Sequence, residues 1–174
     1  MKKVILPFIS VLFLAVIAEA TNLLNNLKVD TSSYIYQNKI DSVGMNNQKL
    51  EGILKKQGEI IESREGYWQL NYLNRILIVI TDQKNNRMRI ITPVIEEKEM
   101  KKSNYSEVLK AQFDRALDVK YALYNGLLWS IFVHPLKELT QSQLIDAISQ
   151  VFYAAHNFGG SYRSTNLQFG SGDK

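Results

Sequence analysis

Asn125-Gly126 stands between two apolar runs, residues 119–124 and 127–133. Both residues tolerate the positive φ that a two-residue turn demands, so the dipeptide in this setting commits the chain to an antiparallel hairpin. Pro135 closes the second strand, where a missing N–H costs least. A hairpin cannot stand alone in water, so the rest of the sequence must supply partner strands and a cover.

Partner strands lie upstream. Trp68, Leu70 and Tyr72 alternate with Gln69 and Asn71, the period of a half-buried strand. Leu73-Asn74 turns the chain into 75–81, a run too apolar for a strand facing water. A polar cluster at 82–86 turns it again, and 87–94 returns with Met88, Ile90 and Thr92 in register. These segments predict an antiparallel meander. Residues 59–65 are ambiguous between a helix exit and a short strand.

The cover is helical. Leu50, Ile53 and Leu54 share one face, with Gly58 as a stop. Asn104 and Glu107 have the spacing of an N-cap and its returning partner, and Tyr105, Val108, Leu109, Phe113, Ala116 and Leu117 then line one face. Thr140 and Gln143 form a capping box before the stripe Leu144, Ile145, Ile148, Val151, Phe152 and Ala155, which Gly159-Gly160 ends. The order α-β-β-β-α-β-β-α predicts an α+β fold: an antiparallel sheet of about five strands with helices packed on one face.

At this point the chain resembles the type III secretion chaperone-like family of bacterial domains, of the YbjN type. The carriers are Leu50-Glu51-Gly52-Ile53-Leu54-Lys55-Lys56-Gln57-Gly58, the Trp68 strand and Asn86-Arg87-Met88-Arg89-Ile90. The Phe113 helix running into Tyr121, and the Asn125-Gly126 hairpin followed by Leu139-Thr140, complete them over roughly residues 46–160. The resemblance implies a non-enzymatic protein-binding module, often dimeric, that holds extended segments of a partner. It also implies work in the cytoplasm, from which this chain departs.

That departure is written at the N-terminus. Lys2 and Lys3 precede an almost unbroken apolar run at 4–18, and Ala18-Glu19-Ala20 puts small residues where a signal peptidase needs them. The run is shorter than the roughly 20 residues that span a bilayer. Cleavage before Thr21 is therefore expected, with an uncleaved anchor as the alternative, and the protein is expected to be exported, periplasmic or secreted, without stable membrane insertion. The domain reading is a signal peptide over 1–20, a linker or arm over 21–45, the α+β domain over 46–160 and a flexible tail over 161–174.

Composition removes several chemistries. No cysteine is present, which excludes disulfides, thiolate catalysis, thiolate zinc sites and a lipoprotein anchor. A net charge of +4 comes from cations scattered among nearly as many acids, not from the stripe a nucleic-acid binder gathers, so no nucleic-acid partner is expected. His134 and His156 are the only histidines, and neither has a second member with which to bind metal or run a mechanism. Asp114 and Asp118 share a helical spacing, with Glu107 earlier, but glycoside chemistry needs carboxylates on opposite walls of a cleft. The glycines at 159–160 follow a helix instead of opening one, the wrong context for a phosphate cradle. Arg87 and Arg89 need only be the solvated side of a strand. No catalytic residue, cofactor or metal is expected.

Apolar residues in excess of one core face carry the functional expectation. If Ile76, Ile78 and Ile80 face the helices, Leu77 and Val79 point away. With Trp129, Ile131 and Val133 inward, Leu128 and Phe132 point outward, as does Tyr124. Leu77, Val79, Tyr124, Leu128 and Phe132 are then the expected partner-binding set, unless the arm covers them or the facing is reversed. The partner would be a protein client or a second copy in a homodimer. A small-molecule or lipid carrier with a cavity between helices and sheet is the alternative, and an enzyme the more distant one.

Overall fold

Asn46 starts the first helix, α1 (Asn47–Gln57): its Oδ1 accepts the Lys49 amide at 2.9 Å, satisfying an N–H the helix itself cannot. Leu50, Ile53 and Leu54 are its buried face. The helix stops at Gly58, where a Cβ would collide with the carbonyl of Asn71 on a neighbouring strand. This computed structural model describes residues 44–167. The signal segment (1–20), the arm as far as residue 43 and the tail from residue 168 lie outside the described residues.

Four strands follow: β1 (Glu59–Arg64), β2 (Tyr67–Tyr72), β3 (Arg75–Asp82) and β4 (Arg87–Glu96). A short 3-10 turn, Glu97–Glu99, leads to α2 (Lys102–Asp114); then come β5 (Lys120–Tyr124), β6 (Leu127–His134) and α3 (Gln141–His156). The stretch at 59–65 that the sequence leaves ambiguous is a strand, so the sheet has six strands, not about five. Their order is β1-β2-β3-β4-β6-β5, every neighbouring pair antiparallel. The α+β class and the helical cover on one face are as expected.

Local chemistry explains the joints. Asn125 and Gly126 take φ of 51° and 70°, the paired positive values of the tight hairpin turn. Thr140 caps α3: its Oγ1 accepts the Gln143 amide at 3.2 Å, while Gln143 Oε1 accepts the Thr140 amide at 2.8 Å. The N-terminus of α2 differs from the expectation. Asn104 sits inside the first turn, not at the cap. Its Oδ1 accepts the Lys101 amide at 2.7 Å, and its Nδ2 donates to the Tyr162 hydroxyl at 2.7 Å.

Between the layers, Leu50, Leu54, Trp68, Leu70, Met88 and Ile90 are essentially inaccessible. Helix α3 packs mainly on β4 and β6, where Thr92 and Ser130 lie opposite each other and are fully buried. The chain after α3 also joins the core, which corrects a flexible tail from residue 161. Tyr162 is buried with its ring against Tyr121 and Phe158. The Ser164 hydroxyl is buried because it donates to the Ala116 carbonyl at 2.9 Å.

Candidate partner-binding surface

Strand facing decides what the sheet can offer a partner. The two-residue Leu73-Asn74 turn pairs Asn71 with Ile76, Leu70 with Leu77 and Gln69 with Ile78. Paired residues share a face, so Leu77 and Val79 follow Leu70 and Trp68 into the core, both with 0% exposure. Ile90 then lies opposite Phe132, which puts Phe132 and Leu128 on the same inner side. The expected outward facing of Leu77, Val79, Leu128 and Phe132 is thus inverted. Tyr124 alone of that set is open to solvent, at 68% exposure.

Inversion keeps a two-sided apolar sheet but changes its residues. Ile78 faces Ile91, and Ile91 faces Ile131, giving an outward isoleucine row across β3, β4 and β6. At ~4.8 Å between strands the row is ~10 Å wide. Ile80 and Val133 flank it on one side, with Arg89 between them. Trp129, opposite Pro93, flanks it on the other, and its Nε1 donates to the Tyr124 carbonyl at 3.1 Å. Ile76 and Val133 are exposed; Ile78, Ile80, Ile91, Trp129 and Ile131 are half-buried.

The outer face has a polar margin over β1 and β2. Gln69 Nε2 donates to Glu62 Oε2 at 2.6 Å and to the Tyr67 hydroxyl at 2.8 Å. The Arg64 guanidinium sits 4.1 Å from the centre of the Tyr67 ring. The two sheet edges also differ. β1 carries Glu59, Glu62 and Arg64 and a bulge between Ile60 and Glu62, features that discourage strand addition. β5 pairs with β6 without a bulge and ends on exposed Leu123 and Tyr124.

Beside β5, helix α2 has a second apolar stripe. Val108 and Ala111 are its buried residues, whereas Leu109 and Phe113 are 68% and 89% exposed, with Tyr105 a turn earlier also exposed. A single face running through Tyr105, Val108, Leu109 and Phe113 is therefore split in two. Val108 and small Ala111 take the contact with the sheet, and the i, i+4, i+8 set is left outside.

Several polar groups elsewhere have structural partners, while the buried Ser130 hydroxyl and Asn71 Oδ1 have none among the described residues. His134 stacks on Phe132 and its Nδ1 contacts the Pro135 carbonyl at 2.7 Å; His156 stacks on Phe152. Arg115 Nε donates to Asp114 at 3.0 Å and its guanidinium also reaches Glu107 at 3.6 Å. Lys110 beside Glu107 holds that carboxyl below its ordinary range. Buried Gln150 donates to both Asp118 (3.1 Å) and Asp146 (2.6 Å), while its Oε1 accepts the Asp118 amide. A cleft of about 390 Å³ lies over these carboxylates, with Lys120, His134 and Gln143 in its wall. A larger one of about 640 Å³, lined by Ser149, Tyr153, His156, Arg163 and Thr165, runs beside α3. Among the described residues, no three of His, Asp and Glu converge as a metal-ligand set.

No family model matches this chain, and no curated protein matches it. Among solved structures it is similar to a chain from the HopA1–SchA chaperone–effector complex, at 12% identity and a TM-score of 0.50, over 63% of this chain and 88% of that one. The fold is shared. It is also similar to a chain from the structure of the Yersinia pestis type III secretion chaperone SycH in complex with a stable fragment of YscM2, at 11% identity and a TM-score of 0.49, over 63% of this chain and 96% of that one.

Proposed function

We propose that this protein is an exported, non-enzymatic binding module, chaperone-like and of the YbjN type, that holds partner polypeptide on the outer face of its sheet. The observation that carries the reading is the isoleucine row Ile78, Ile91 and Ile131, which the register turns away from the helices. Helices cover a sheet of this kind on one side only, so an apolar second face calls for a cover of its own. The fold shared with a chain of a chaperone–effector complex supports the same reading. Filling of the interlayer by Trp68, Leu70, Met88 and Ile90 favours a surface binder over a carrier with an internal apolar cavity.

Self-association belongs to a different surface in this reading. Tyr105, Leu109 and Phe113 on α2, beside the unbulged edge strand β5, form the contact between two copies, leaving the outer sheet face to the client. Export rests on Lys2, Lys3, the apolar run and Ala18-Glu19-Ala20. Intact mass of protein from its host should correspond to a chain beginning at Thr21; a species beginning at Met1 contradicts that part.

The binding claim is tested by aggregation of insulin B chain released by reduction, followed by light scattering. The wild-type protein should delay aggregation, and the Ile78→Ser/Ile131→Ser variant should not, at unchanged circular dichroism. Equal protection by the two proteins overturns the assignment of this face.

A further inference from the structure

Building on the reading of the outer sheet face as a polypeptide surface, we infer that its partner is an amphipathic helix carrying acidic residues along one flank of its apolar stripe. Arg89 and Lys120 stand on the face outside any ion pair among the described residues, whereas Arg87, of the same outward parity on β4, lies opposite Asp82. Arg89 lies between Ile80 and Val133, and Lys120 lies opposite Ile131 at the end of the isoleucine row; both side chains are exposed. Among the described residues the ion pairs involve Lys55, Arg64, Lys98, Lys110 and Arg115, and neither Arg89 nor Lys120. On the opposite margin Arg64 is already matched by Glu62 at 3.4 Å. The unmatched positive charge is therefore confined to the β4–β6–β5 half, and opposite charge in a partner would fix its position and direction.

Shape points to a helix. The inner face of the same sheet is covered by α3, whose apolar stripe lies on β4 and β6. The outer row, ~10 Å across, matches the ~10–12 Å diameter of a helix with its side chains. The one-sided charge favours a peptide over an anionic bilayer. A membrane would present negative charge to the whole face, including outward-facing Glu62 and Glu96, which lies opposite Leu127. A helix can place acids on the flank over Arg89 and Lys120 alone.

The test uses the full chain and two synthetic helical peptides with the same leucine stripe, one flanked by glutamates and the other by lysines, with fluorescence anisotropy as readout. The glutamate peptide should bind about tenfold more tightly, the effect of a few exposed charge pairs exchanged for repulsions. Arg89→Glu/Lys120→Glu should reverse the preference, and Ile78→Ser/Ile131→Ser should remove binding of both peptides. Equal affinity for the two peptides, or a preference that survives charge reversal, overturns the acidic-helix inference and leaves the polypeptide face standing. Peptide binding unaffected by Ile78→Ser/Ile131→Ser overturns both. Three further results also overturn the inference. One is tighter association with phosphatidylglycerol vesicles than with either peptide, which assigns the face to lipid. A dimer lost in Ile131→Ser assigns it to a second copy. Glutamate-peptide binding that appears only after deletion of residues 21–43 assigns it to that segment.

Discussion

Leu77 pairs with Leu70 across the β2–β3 ladder, and both side chains are fully buried on the helix-facing side of the sheet. From that pair the facing of every later strand follows, through Val79 opposite Ile90 and Ile90 opposite Phe132. Substitutions should therefore separate sharply by parity. Phe132→Ala should cost about 3–5 kcal/mol through lost burial and a cavity. Ile131→Ser, one residue away but on the outer side, should cost no more than about 1 kcal/mol. Trp68→Ala should likewise cost far more than Trp129→Ala. Denaturant melts in which Ile131→Ser is the more damaging change would contradict this facing.

The same pair locates what the sequence reveals and what it conceals. Where polar and apolar residues alternate, facing is plain: Trp68 and Leu70 in β2, Met88 and Ile90 in β4 are buried as their period predicts. In β3 both parities of 76–80 are apolar, so alternation is silent. The missing signal is the Leu73-Asn74 turn. Two residues in the turn force Leu70 opposite Leu77, and carrying the register through it gives the facing without any structure. In β6 a polar residue misleads. Ser130 is buried inward opposite Thr92, making its outward neighbours Trp129 and Ile131 look like the core set. Beyond α3, a Gly- and Ser-rich stretch reads as a tail because sequence does not display the hydrogen bonds that let Ser164 be buried.

Tyr121 gives the fold an alkaline limit. Its hydroxyl donates to the Ala154 carbonyl at 2.7 Å, and burial pushes the phenol above its ordinary pKa. A group raised in the folded state adds stability that is complete below its unfolded pKa and is lost as pH climbs towards the folded value. Stability should therefore fall above about pH 10, the unfolded tyrosine value. Tyr121→Phe should lose about 1 kcal/mol at neutral pH with the hydrogen bond, and should fall less steeply in alkali. Parallel alkaline profiles for the two proteins would contradict the assignment.

The stripe on α2 predicts the oligomeric state. Leu109 and Phe113 are the most exposed large apolar residues on that helix. Leu109→Glu/Phe113→Glu should convert a dimer to a monomer in sedimentation velocity, with stability changed by no more than about 0.5 kcal/mol. Ile78→Ser/Ile131→Ser should leave the dimer intact. A wild-type monomer, or a dimer that survives the double glutamate change, would contradict this interface.

The chain contains two tryptophans, and they sit on opposite faces of the sheet: Trp68 is buried beneath the helices, and Trp129 flanks the outer isoleucine row. Acrylamide quenching of their fluorescence therefore reads client contact at the outer face directly, given an unfolded client that lacks tryptophan. Without client, one population should quench and the other resist, and Trp129→Phe should remove the quenchable one. With saturating client, the quenchable population should become protected. Client bound with Trp129 still as accessible as in the free protein would contradict the claim that the outer sheet face holds the partner.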